Sequence, residues 1–275
     1  MNDKTIRKIK NTIPHGVWKV MVSFARFLRR IKYRIIMAFS SKKLELYCPC
    51  CGLRFKSFGH GDYDIPDFYD VSLFEGIPQD IRCNVCGSLP RHRILTSWCI
   101  DHKDLLVSKK ILYFAPENCM AKWLKANHIS FTTADLYNVD AQLKLDIQKT
   151  GLPDGSYDVV ICNHVLEHVD DVMTALLEMK RIIRPGGFFI CSFPVNPDID
   201  LVDEDKSVTS EEERLRRFGQ SDHVRLFGIH ADRFMTDAGF EVSFIEGSDY
   251  PAEILPVTAP GKYDINRLYL CKVKG

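Results

Sequence analysis

No stretch of this 275-residue chain reaches the ~18 consecutive apolar residues that a membrane span needs. Its first residues also lack the small-residue cleavage pattern of a secretory signal, so the expected location is the cytoplasm. Internal repeats and low-complexity tracts are missing too. With 45% hydrophobic and 11% aromatic residues, the chain reads as globular, large enough for one substantial core and a small accessory module. Positive charge is scarce beyond residue 43, where 25 Lys/Arg face 35 Asp/Glu, whereas Met1 to Lys43 holds 12 basic residues and a single acid, Asp3. The acidic body disfavours a nucleic-acid partner, and any attraction to an anionic surface belongs to the N-terminal arm. Glycine is absent where it would be most expected. The run KILYFAPENCM, Lys110 to Met120, reads as a buried strand entering a turn, yet Ala115-Pro116-Glu117 stands where a nucleotide-binding loop places glycines.

Cysteine, by contrast, is plentiful and clustered. Of ten cysteines, four form the pairs Cys48-Pro-Cys-Cys51-Gly and Cys83-Asn-Val-Cys86-Gly. Two thiolates two residues apart, followed by a glycine that opens the backbone, make half of a tetrahedral site, so Cys48, Cys51, Cys83 and Cys86 are candidate ligands of one structural zinc. The 31 intervening residues add little closure entropy. The alternative, a redox pair, belongs at a strand-to-helix turn that is not predicted here. Cys50 reads as a bystander, and Cys99, Cys119, Cys162, Cys191 and Cys271 fall in predicted core elements as small hydrophobes.

Three regions follow: a basic amphipathic helix within 1–43, a loop-rich zinc-binding module of four cysteines over 44–90, and an α/β domain over 91–275. In the first, Val17, Met21, Phe24, Leu28, Ile31 and Ile35 make one helical stripe, with Lys19, Arg26, Arg29 and Arg30 roughly opposite. That pattern suits a peripheral contact with a membrane surface, and equally a helix packed on its own protein or on another subunit. The oligomeric state stays open. In the third region, strands are expected at 110–115, 130–134, 157–162 and 187–193, alternating with helices from Pro90, at 117–127 and at 170–184. Such alternation argues a parallel sheet covered on both faces, and FEVSFIEG with NRLYLCKV reads as an antiparallel pair at its edge.

Asp135 follows the second strand, 20 residues beyond Ala115, where a βαβ unit presents a carboxylate to ribose hydroxyls. A third strand, in GLPDGSYDVVICNHVLEHVDD, runs into Asn163-His164 and an Asp-capped helix that stops at RPGG. The series KILYFAPE, SYDVVICNHVLEHV and RIIRPGGFFICSFP resembles class I S-adenosylmethionine-dependent methyltransferases over roughly residues 108 to 275. Ala115, Glu117 and Cys119 stand at the three positions of that family's glycine-rich motif. The cysteine pairs and CGSLPRHR are similar to zinc-bearing sugar methyltransferases of bacterial surface-polysaccharide synthesis.

The resemblance implies a Rossmann-like seven-stranded sheet, S-adenosylmethionine as cofactor, and a sugar or glycan acceptor. It assigns cofactor contacts to Ala115, Glu117, Asp135, Asp146 and Asn163. An acid in the first turn would repel a pyrophosphate but attract an ammonium beside a sulfonium. Ala115 is expected to stay extended ahead of Pro116, with Pro116 as the first helical residue. His164 is a candidate base or a wall of the pocket, while His168 suits a structural hydrogen bond. A capping box, Ser210-x-x-Glu213, predicts a helical lid leading to His223, a second candidate catalytic base, and Arg225, an anion-binding donor, both at the rim. Arg91, His92 and Arg93 are placed to hold a substrate phosphate. Two further classes stand beside the enzyme: a non-catalytic zinc-ribbon binding protein with a degenerate domain, and an RNA methyltransferase, which the acidic body disfavours.

Overall fold

The computed structural model describes residues 14–39, 44–59, 81–255 and 267–275. The expectations for the arm ahead of Pro14, for the side chains of Lys19 and Arg26, and for the loop before the last strand fall outside the described residues.

Helix α1 spans His15–Phe39. Its apolar stripe faces solvent: Val17, Met21, Phe24, Leu28, Ile31 and Ile35 are all 41% or more exposed. The opposite face docks instead, with the Tyr33 ring 4.9 Å from Phe55 and Met37 Sδ accepting the Arg54 amide at 3.2 Å. These partners belong to the cysteine module, whose short strands β1, Leu46–Cys48, and β2, Leu53–Phe55, pair antiparallel.

The main sheet has seven strands: β3 Ile111–Phe114, β4 Phe131–Asp135, β5 Leu143–Lys144, β6 Tyr157–Asn163, β7 Ile183–Ser192, β11 Glu241–Glu246 and β12 Arg267–Lys272. Their spatial order is β11-β12-β7-β6-β3-β4-β5. β12 runs antiparallel to both neighbours, wedged between β7 and the outer strand β11. Side chains alternate between two cores, as the two-residue strand period requires. Ile111, Tyr113, Val159, Ile161 and Ile190 face α2, Pro90–Asp101, and α3, Asn118–Ala126. Leu112, Phe114, Val160, Cys162, Phe189 and Cys191 face α4, Val172–Ile182, and α6, Asp232–Asp237. The core cysteines are buried as expected, and burial pushes the Cys99, Cys162 and Cys191 thiols up, whereas Cys50 and His92 draw the Cys119 thiol down.

Two regions differ from the sequence pattern. The strand after α4 begins at Ile183, and Arg184–Gly187 bulge out opposite Asp158. Gly187 is needed there, because a Cβ would collide with the Asp158 carbonyl oxygen. The expected helical lid carries a sheet of its own: β8 Val195–Asn196, β9 Val202–Glu204 and β10 Arg225–Gly228 lie in the order β8-β10-β9 beside α5, Glu211–Phe218. Strands of two to four residues are too short to show a period. Ser210 caps α5 as expected, its Oγ accepting the Glu213 amide at 3.2 Å, but the Glu213 carboxylate takes the Ser210 hydroxyl at 2.8 Å, so one half of the expected box is seen.

Two arginines expected to hold anions are buried bolts. Arg93 is fully buried, donating from Nη1 to the carbonyls of Ile81 and Ser88, each at 2.9 Å, and from Nε to Ile254 at 2.5 Å. Its guanidinium lies 4.3 Å from the Phe58 ring centre, so one side chain joins the cysteine module, α2 and the segment after β11. Arg225, 1% exposed, donates to the carbonyls of Leu166, Val169 and Asp170 and to Glu204, tying β10 to the turn after β6. A guanidinium has five donors in a fixed fork, which suits a cluster of chain-end carbonyls as well as it suits a phosphate.

Candidate active site and cysteine cluster

The parallel register brings the candidate cofactor residues to one row. Phe114 pairs with Ala134 on one side and Cys162 on the other, so Ala115, Asp135 and Asn163 follow at the carboxyl ends of three adjacent strands. Ligands of open α/β sheets bind at this edge. Asn163 is 3% exposed and its Oδ1 accepts from Ser192 Oγ at 3.0 Å.

The turn after β3 is strained. Ala115 has φ +44° and is not extended, and Pro116 lies outside the helix, which starts at Asn118 behind an N-cap at Glu117. Reversing from strand to helix within two residues needs a positive φ, which glycine adopts freely and alanine at a cost of about 1–2 kcal/mol. The next strand repeats the pattern: His164, after β6, has φ +52°, with its amide donating to the Ser192 carbonyl at 2.7 Å. Such strain persists where surrounding structure imposes it, characteristically at ligand sites.

Glu117 does not stand free in the turn. Its carboxylate accepts from the Tyr113 hydroxyl and from His92 Nε2 at 3.2 Å, while His92 Nδ1 accepts the Leu89 amide. Burial pushes this carboxyl up, but the His92 hydrogen bond, the charges of His92 and Arg91, and Tyr113 together hold it down at about 2. His92 is therefore a partner of Glu117 and not a phosphate holder. Asp135 and Asp146 each close an Asx turn. Asp135 Oδ1 accepts the amides of Tyr137 and Asn138, both at 2.8 Å, and Asp146 Oδ1 accepts that of Gln148 at 2.8 Å. Oδ2 of each takes no part in its turn.

A second cluster surrounds Glu167, which lies one turn past His164 and is 1% exposed. His164 Nδ1 is 3.3 Å from Glu167 Oε1, and His223 Nε2 is 4.0 Å from the same oxygen. His223 is fully buried and not at the rim, with Nδ1 donating to the Phe218 carbonyl at 3.0 Å. Burial lowers its pKa more than Glu167 raises it, so the ring stays neutral with a lone pair on Nε2. Burial raises the Glu167 carboxyl, yet the close approach of His164 and the nearby imidazoles hold it below the usual glutamate value. His168 makes the structural hydrogen bond expected of it, from Nδ1 to the Asp222 carbonyl at 3.1 Å. The sequence marked the histidines but not Glu167, whose role depends on burial that the motif VLEHV does not reveal.

The four knuckle cysteines converge, their Sγ atoms all within 4.8 Å of one another. Cys48 and Cys86 are 3.6 Å apart, and Cys51 and Cys83 3.8 Å. A tetrahedron with metal–sulfur bonds of ~2.3 Å has edges of about 3.8 Å, so the sulfurs already stand at metal-site spacing. Gly52 at φ +70° and Gly87 at φ +75° turn the two knuckles in the same left-handed way. Cys50 lies outside this group, with Sγ 3.0 Å from Thr96 Oγ1 on α2.

Residues 115–191 match the family of methyltransferase domains. The sheet order with its antiparallel β12 is the Rossmann-like methyltransferase architecture. Over 76 residues, 28% of this chain, it is 36% identical to a demethylmenaquinone methyltransferase of Listeria monocytogenes. Over 112 residues, 40% of the chain, it is 34% identical to an uncharacterized 37.1 kDa protein from a transposon of Streptomyces fradiae. The chain spans 32% and 31% of those two proteins, about a third of each. Among solved structures, an S-adenosylmethionine-dependent methyltransferase from Archaeoglobus fulgidus aligns with 66% of this chain and 94% of its own, at 13% identity and a TM-score of 0.42. The matched segment runs from the strained Ala115 to Cys191 and contains Asp135, Asn163, His164 and Glu167.

Asp135→Ala should lower the melting temperature without ligand, because two amides lose a charged acceptor worth about 1.5–3 kcal/mol. Asp135→Asn, which keeps Oδ1 as acceptor, should lose much less. Thermal unfolding of both variants checks the turn's contribution.

Proposed function

We propose that the protein is an S-adenosylmethionine-dependent methyltransferase whose acceptor is a hydroxyl of a sugar or glycan intermediate of surface-polysaccharide synthesis. The observation that carries the reading is the register of Ala115, Asp135 and Asn163 along one carboxyl edge inside the matched segment. The residues fit the cofactor at the second strand, where Asp135 stands at the carboxyl edge with Oδ2 outside its turn, whereas Glu117 is already held by His92 and Tyr113. When bound, S-adenosylmethionine supplies a methyl group already activated on sulfur. Asp135 Oδ2 would take the ribose hydroxyls, and Asp146 the adenine amine.

The chain's remaining tasks are to align the acceptor, exclude water and receive a proton. His164 suits the last. Its Nδ1 lies 3.3 Å from Glu167 Oε1, and its buried Nε2 has no hydrogen-bond partner and is available to the acceptor hydroxyl. The glycan class rests on the resemblance of the knuckles and CGSLPRHR to sugar methyltransferases. Calorimetric titration with S-adenosylmethionine should show one site per chain, weakened about tenfold to a thousandfold in Asp135→Asn. Absence of binding heat at millimolar ligand would leave the non-catalytic reading.

The cysteine cluster is read as a structural zinc site, supported by its sulfur spacing and matched glycines. Elemental analysis should find zinc in the wild-type protein and a loss of one zinc per chain in Cys83→Ser. Unchanged metal would remove Cys83 from the ligand set.

Helix α1 is read as a peripheral membrane contact. Among the described residues no helix is long and apolar enough to cross a membrane. Phe24, Phe27 and Phe39 of α1 are nonetheless 57–85% exposed, and Arg29, Arg30 and Lys32 are exposed as well. Flotation with anionic vesicles should carry the wild-type protein and not the Phe24→Glu/Phe27→Glu variant. Equal flotation of both would assign the stripe to another partner.

A further inference from the structure

The group of Glu167, His168 and His223 has a property that the methyltransferase reading does not use. One ligand-competent atom from each lies within 4.8 Å of the others. Neither Glu167 oxygen nor His223 Nε2 has a hydrogen-bond partner, although both residues are at least 99% buried. An ionised carboxylate in such a place needs a compensating cation or several donors. His164 offers one contact at 3.3 Å, and His223 at 4.0 Å is beyond hydrogen-bond reach.

Both imidazoles are held by backbone carbonyls. His168 donates from Nδ1 to the Asp222 carbonyl and His223 from Nδ1 to the Phe218 carbonyl. For His223 this leaves the Nε2 lone pair, 4.0 Å from Glu167 Oε1, to a ligand. This outer support is the arrangement that metal-binding histidines use. The site is therefore a buried carboxylate and two backbone-held imidazoles within metal-ligand reach of one another.

We propose that Glu167, His168 and His223 bind a divalent transition-metal ion at the carboxyl end of β6. Two nitrogens and one oxygen suit zinc, cobalt, nickel or iron, and do not suit magnesium or calcium, which take oxygen ligands. With bonds of ~2.0–2.2 Å the ligand atoms need to stand roughly 3–4 Å apart, a contraction within the reach of side-chain rotation. His164 Nδ1 stays against Glu167 and steadies it. The chemistry differs from that of the cysteine cluster, so the two sites sort metals by ligand softness. Three protein ligands leave coordination positions open beside His164. If the methyltransferase reading holds, those positions would take adjacent acceptor oxygens such as a vicinal diol. The metal site itself stands without it.

Cobalt(II) alone is the probe. The full-length protein is dialysed against a weak chelator that spares thiolate-bound zinc and is then titrated with Co2+, without S-adenosylmethionine or acceptor. One equivalent should bind, giving weak visible d–d absorption and none of the intense near-ultraviolet charge-transfer bands of cobalt–thiolate bonds. Glu167→Gln and His168→Ala should each weaken this binding by about 100-fold or more. The His168 side chain is 32% exposed, so its variant should fold, and an unchanged melting temperature without cobalt checks this. Absence of binding, charge-transfer bands, or a wild-type affinity in either variant would overturn the site. None of these readouts involves methyl transfer, so a failed cofactor titration and a failed cobalt titration point to different errors.

Discussion

Burial of the sheet on both faces constrains everything else in the molecule. Strands β3, β6 and β7 send alternate residues into two separate apolar cores, so no polar group can leave from their middles without losing its water. Chemistry is thereby confined to the strand ends. At the carboxyl end the chain must also turn at once into covering elements, and the cost falls on Ala115 and His164, two non-glycine residues with positive φ on neighbouring strands. Strain and reactive groups coincide because the same geometric demand produces both.

The periphery is organised by charges put to structural use. Arg93 collects carbonyls from the cysteine module and from the segment after β11, and Arg225 collects those at the start of the turn into α4. Removing either guanidinium would strand several buried carbonyls, which makes these side chains joints and not binding donors. Arg54 adds a third link, pairing with Glu253 while Tyr47 N donates to the Glu253 carbonyl. The cysteine module is thus fastened to the α/β domain at its edge, while α1 holds that module by Tyr33 and Met37 and turns its apolar stripe outward.

Glu167 shows the opposite situation, a buried charge without enough partners. Arg93 and Glu167 are both buried ionised groups. The arginine is satisfied largely by backbone, whereas the glutamate faces three imidazoles, two of them held by backbone carbonyls.

The sequence by itself determined the α/β alternation, the strand-helix order from β3 to β7, the antiparallel final pair, the capped lid helix and the convergence of four cysteines. Each of these rests on local chemistry: period, cap, spacing and the glycine after each knuckle. Tertiary structure alone decided that Ala115 is left-handed, that Glu117 binds Tyr113 and His92, that Arg93, Arg225 and His223 are buried, and that the lid contains strands. It also decided that Glu167 is the centre of the histidine cluster. Burial and partner identity depend on residues brought together from distant parts of the chain, 161 positions apart for Arg93 and Ile254, and no local pattern encodes that distance.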